Sequence, residues 1–136
     1  MMKKIIFAFL IFFVLAGQMV CYAVDGKTLL ESCAAAIQKM DGKTKVSGVR
    51  VGYCYGYVQG LIDMNTFYNG YVQNLMDINT LYNGSGITPL FCLPQTISNG
   101  EGARIVFDYL RSNPERLREY GGVLAIEAFM EAFPCE

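Results

Sequence analysis

The 136-residue chain has no histidine, no tryptophan, only four prolines and no Cys-x-x-Cys spacing. Without histidine, a Ser-His or Cys-His nucleophile pair is excluded. The missing histidine and missing Cys-x-x-Cys together remove the usual zinc ligand patterns. Charge is scarce as well: 11 Lys and Arg stand against 12 Asp and Glu. No basic stripe is available for phosphates, so no nucleic-acid partner is expected. Gly100-x-Gly102 lacks the preceding strand and third glycine of a phosphate loop, and a helix start explains it. Asp63 and Asp77 would lie about 21 Å apart on one helix, beyond the roughly 10 Å of a glycosidase carboxylate pair. The expectation is a binding protein with no catalytic residue, no metal and no cofactor.

What is present begins with a signal-like start. Lys3 and Lys4 precede an apolar run from Ile5 to Ala16, and a more polar stretch ends in Cys21-Tyr22-Ala23. The run is shorter than the ~20 residues that span a bilayer. Cleavage after Ala23 is expected, leaving no membrane segment in the mature chain. The rivals are an uncleaved anchor or a lipoprotein attached through Cys21, but Gln18-Met19-Val20 lacks the small residue that normally precedes a lipid-modified cysteine. The mature 113 residues carry 12 acids against 9 bases, since Lys3 and Lys4 are removed. That length suits one domain.

Cys33, Cys54, Cys92 and Cys135 remain, an even set that an oxidising compartment pairs. Three connectivities are formally open.

Helical periodicity runs through the mature chain. Asp25 caps a first helix with Leu29, Leu30, Cys33, Ile37 and Met40 on one side, stopped at Asp41-Gly42. From Val49 the apolar rhythm resumes, and Gly56 to Asn69 is followed at once by a near copy, Gly70 to Asn83. Ten of the 14 positions match. This reads as a tandem duplication, too short and too few in copies for a solenoid. Fourteen residues are two heptads, so Tyr57, Leu61, Met64, Tyr68, Tyr71, Leu75, Ile78 and Tyr82 form a seam across the boundary. One long helix is favoured over a hairpin turning at Asn69-Gly70, where a turn dipeptide and interior glycine argue the other way.

Asn83-Gly84-Ser85-Gly86 ends that element, and Ile87 to Pro94 is a loop carrying Cys92. Ser98 and Glu101 form a capping box for a third helix, with Ile105, Val106, Tyr109 and Leu110 buried. Asn113-Pro114 stops it and starts another helix. After Gly121-Gly122, a last run places Val123, Ile126, Met130 and Phe133 on one face. The fold class is all-α: a small disulfide-stapled bundle of four to five helices with an extended second helix.

Helix order restricts the pairing. Cys33 and Cys54 flank the first interhelical loop at similar distances. If the third and last helices are antiparallel, Cys92 and Cys135 fall at one end. These pairs close loops of 22 and 44 residues, contributing about 3 and 4 kcal/mol in the chain-entropy model. The tyrosines at 53, 55, 57, 68, 71 and 82 are either a recognition surface or core residues with hydroxyls at the rim. Arg111, Arg116 and Arg118 with Glu115 and Glu119 are expected to form a solvated helix face.

The segments Leu29-Leu30-Glu31-Ser32-Cys33, Cys54-Tyr55-Gly56-Tyr57-Val58-Gln59-Gly60, Phe91-Cys92-Leu93-Pro94, Tyr109-Leu110 with Asn113-Pro114-Glu115, and Ala128 with Ala132-Phe133-Pro134-Cys135 resemble the Rap/Tai family of type VI secretion immunity proteins. The resemblance covers the mature chain as a single domain, residues 24–136 after a signal peptide at 1–23. It implies a periplasmic all-α protein, often dimeric, whose partner is a peptidoglycan-cleaving cysteine amidase. Glu101 departs from the family's usual glutamine and Arg118 from its frequent histidine. The duplication adds 14 residues between Cys54 and Cys92. The alternative from another class is a periplasmic stress or chaperone-like helical protein that binds unfolded clients.

Two surfaces follow as expectations. The segment Asn83 to Phe91, with Ser85, Ile87, Thr88 and Leu90 between, suits a wedge that enters an effector cleft, because a pinned loop loses less freedom on binding. Tyr71, Leu75, Ile78 and Tyr82 lengthen the apolar seam beyond what a 113-residue monomer covers, which suits self-association into a homodimer.

Overall fold

A computed structural model describes the backbone of residues 23–83 and 90–135 and the side chains of 23–70 and 90–135. The expected signal segment, except Ala23, lies outside the described residues. Among the described residues four α-helices follow in order: α1 (Gly26–Met40), α2 (Gly48–Asn83), α3 (Asn99–Ser112) and α4 (Gly121–Ala132), with a 3-10 turn at Pro114–Arg116. No strand occurs among the described residues. The bundle is all-α, as the periodicity indicates, and α2 is one continuous helix of 36 residues.

Local chemistry explains the helix ends. The Thr28 N–H donates to Asp25 Oδ1 at 2.8 Å, which starts α1. Gly42 then stops it with a φ of +84° that favours glycine. At α3 the capping box is complete: Glu101 N–H donates to Ser98 Oγ, and Ser98 N–H donates to Glu101 Oε2 at 2.8 Å. Asn113 does not cap a following helix. Its Nδ2 donates to the Tyr109 carbonyl instead, and Pro114 opens only the short 3-10 turn.

Helix α1 packs against α2 and α3, and α3 packs against α4. The core is built from Leu29, Cys33 and Ala36 of α1, Cys54 and Val58 of α2, Val106 and Leu110 of α3, and Leu124 and Phe129 of α4. Helices α2 and α3 approach closely where α3 has no side chain. A Cβ on Gly102 would stand 2.5 Å from Val58 Cγ1 and 3.3 Å from Phe129 Cζ. The first helical residues are also tied to the loop before α4: Gly26 N–H donates to the Glu119 carbonyl, and Gly121 N–H to the Val24 carbonyl.

Two expected faces are rotated. In α4 the buried side is Leu124, Ala125, Ala128 and Phe129, whereas Val123 and Met130 are 46% and 43% exposed. This helix is apolar nearly all round, and the side turned inward is the one that carries the two small alanines. In α2 the side facing the core is Cys54, Val58 and Asn65, with Ile62 partly buried. Tyr57 and Leu61 of the expected seam are half-buried, and Met64 and Tyr68 are exposed.

Candidate functional site: a pinned segment between α2 and α3

Three restraints fix the segment that runs from Leu90 into α3. Phe91 is 1% exposed and stacks on Phe129, with ring centroids 5.2 Å apart. Its carbonyl accepts from Asn65 Nδ2 of α2. Next, Cys92 N–H donates to the Phe133 carbonyl at 2.9 Å, and Cys92 is disulfide-bonded to Cys135. The far end is held by the Ser98–Glu101 capping box, which also holds the Glu101 carboxyl below its ordinary range through the Ser98 N–H and hydroxyl. Leu93 and Ile97 turn partly inward, so Pro94, Gln95 and Thr96 stand out on a backbone that is braced on both sides.

A groove of about 560 Å³ lies between this segment, the end of α1 and α3. Met40, Ile97, Ile105 and Phe133 give it apolar walls, and Glu101, Arg104 and Asp108 supply charge. Arg104 reaches Asp41 at 3.8 Å across the α1–α3 junction.

The other disulfide, Cys33–Cys54, staples α1 to α2, and both of its residues are wholly buried. Among the described residues every cysteine is therefore disulfide-bonded, and no cluster of acids and cysteines has a metal-binding arrangement.

Of the expected contact residues, Asn83 is the last residue of α2. Ser85, Ile87 and Thr88 lie outside the described residues, as do the side chains of Tyr71, Leu75, Ile78 and Tyr82. Leu90 is exposed and Phe91 is core, so Phe91 anchors the segment while Leu90 is open to a partner.

Arg116 does not belong to a solvated face. Its guanidinium donates to Glu119 Oε1 and Oε2 at 2.8 and 2.7 Å, to Glu127 Oε2 at 2.6 Å and to the Tyr109 hydroxyl at 2.9 Å. The 3-10 turn is thereby bound to α3 and α4. Hydrogen bonds from Arg116 hold the Glu119 and Glu127 carboxyls below their ordinary range, with Tyr109 adding to the effect on Glu127. Burial, reinforced by Glu127, pushes the Tyr109 hydroxyl up. The Arg116-x-x-Glu119 spacing hinted at one of these bonds, but nothing local in the sequence pointed to Glu127.

No helix among the described residues is long and apolar enough to cross a membrane. No curated protein and no solved structure matches the chain. The model of the Rap1a immunity proteins matches residues 25–135, which contain the four described helices and both disulfides; the chain belongs to the family of Rap1a immunity proteins.

Proposed function

We propose that this chain is a periplasmic immunity protein that binds and blocks a peptidoglycan amidase effector of a type VI secretion system. Membership in an immunity family supplies the inhibitory class and implies a cognate effector protein as partner. The observation that carries the surface assignment is the braced segment after α2. It is held by a buried aromatic, a disulfide and a complete helix cap, and it presents Leu90, Pro94, Gln95 and Thr96 outward. Such a segment enters a cleft with little loss of freedom. Residues Ser85, Ile87 and Thr88, which precede it, extend the same proposed contact.

The mature protein in this reading begins at Val24 in the periplasm. It associates through Tyr71, Leu75, Ile78 and Tyr82 of the second repeat. Removing residues 70–83 then leaves both disulfides in place and lowers the oligomeric mass in solution; an unchanged mass refutes that interface.

Inhibition is tested by combining Ile87→Gly, Thr88→Gly and Leu90→Gly. The expected result is loss of protection against the amidase, with a melting temperature within a few degrees of the parent. Full protection by this variant assigns the contact to another face.

A further inference from the structure

Two stretches of α2 carry nearly the same residues, and one of them docks on the body. The docked stretch meets the rest of the fold through Val58 and Ile62, which close over Gly102 of α3, and through Asn65, which holds the Phe91 carbonyl. One repeat later the sequence has Val72, Met76 and Asn79. Fourteen residues advance a helix by about 21 Å and return to within about 40° of the same direction. The later stretch therefore repeats the docking pattern in its sequence, one repeat on.

The turn before each stretch is what differs. Cys54 is 0% exposed and bonded to Cys33, whereas its counterpart Tyr68 is 36% exposed. A tyrosine is far too large for the closed site that the half-cystine fills. By contrast, Val58 and Val72 are identical, and Ile62 against Met76 is a near volume-conserving exchange. Hydrophobic packing thus discriminates weakly between the two stretches, and position 54 discriminates strongly.

We propose that the Cys33–Cys54 bond is a register key: it decides which of the two similar faces of α2 docks against Gly102 and Phe91. Moving the cysteine by one repeat moves the docked face by one repeat.

Chain length permits both registers. In the observed one, the extra residues follow the docked stretch and carry the end of α2 about 27 Å beyond Asn65. Eight residue steps separate Asn83 from Phe91, and they reach at most about 28 Å. In the other register the extra residues join the connection after α1, now residues 41–47. Lengthening that connection threefold adds a closure penalty that grows only logarithmically.

The key is tested by combining Cys54→Ser with Tyr68→Cys. Positions 54 and 68 are about 21 Å apart on the helix, and bonded cysteines need Cα atoms within about 7 Å. A cross-link from Cys33 to position 68 within one chain therefore reports the moved register. Mass mapping of non-reduced peptides is expected to find it within single chains that keep Cys92–Cys135. Free thiols at positions 33 and 68 in a folded protein, or a cross-link formed only between chains, overturn the proposal. Deletion of residues 56–69 gives an independent reading should the double variant not fold. It joins Tyr55 to Gly70 and places the later face directly after Cys54. This protein is expected to form Cys33–Cys54, and Asn79→Ala is expected to lower its melting temperature as much as Asn65→Ala lowers that of the full chain. A deletion protein with Cys33 and Cys54 unpaired, or one indifferent to Asn79→Ala, overturns the proposal.

Discussion

The Asn65 side-chain amide donates to the Phe91 carbonyl at 3.3 Å, joining α2 to the braced segment across 26 residues of chain. Asn65 is 5% exposed, so water cannot readily replace the bond. Truncation leaves a buried carbonyl unpaired, a loss of about 1–2 kcal/mol. Asn65→Ala is expected to lower the melting temperature by about 5–10 °C, read by thermal circular dichroism. An unchanged transition means the contact contributes nothing.

The two disulfides differ in access. Cys33 and Cys54 are fully buried, whereas Cys92 is exposed. Mild reductant is expected to open Cys92–Cys135 first, because exchange requires a thiolate to reach sulfur. Timed alkylation followed by peptide mass mapping gives the order. Labelling of Cys33 and Cys54 first, or at the same rate, contradicts it. Serine replacement of both Cys92 and Cys135 is expected to cost up to about 4 kcal/mol.

Glycines in α2 and α3 should respond with opposite signs. Gly102→Ala forces a methyl group against Val58 and Phe129, costing about 1–3 kcal/mol by overpacking. A Cβ at Gly56 or Gly60 meets nothing within 4 Å, so alanine there is expected to stabilise by up to about 1 kcal/mol each. Urea unfolding midpoints of the three variants decide this; equal shifts refute the close approach of α2 and α3.

Acid should weaken the fold through carboxylates whose pKa is depressed on folding: Glu119 and Glu127 at Arg116, Glu101 in its capping box and Asp25 at the start of α1. Their contribution is present above the unfolded carboxylate range of about 4 and is lost as pH falls through the lower folded values. Stability is therefore expected to drop steadily below about pH 4.5. Glu127→Gln should flatten that slope and lower stability at neutral pH, where Arg116 loses a charged partner. A variant with the parent's slope removes Glu127 from the acid response.

The parts of this fold that were legible in the sequence are those set by short-range or covalent rules. Asp25 and Ser98 with Glu101 cap helices because capping depends on residues three apart. The cysteine pairs follow from helix order. The face of α4 was not legible, because Val123, Leu124, Ile126, Phe129 and Met130 surround that helix with apolar groups, so periodicity alone does not select the side of the buried Ala125 and Ala128. On α2 an apolar periodicity gives no weight to Asn65, a buried polar residue whose partner lies 26 positions away. The partner of Arg116 is hidden from the sequence for the same reason: Glu127 reaches it only after α4 folds back on the 3-10 turn. Leu90 and Phe91, adjacent in the expected contact segment, separate only in three dimensions, where Phe91 stacks on Phe129 and Leu90 stays exposed.

The two covalent rings, 33 to 54 and 92 to 135, neither overlap nor enclose one another. A single proteolytic nick inside either ring leaves one covalently joined molecule; a nick between Tyr55 and Phe91 divides it in two. The repeat lies wholly within that unringed stretch, so adding or deleting fourteen residues there changes the size of neither ring. Variation in the length of α2 is thereby uncoupled from oxidative closure, and this part of the chain can lengthen or shorten while the same two bonds go on forming.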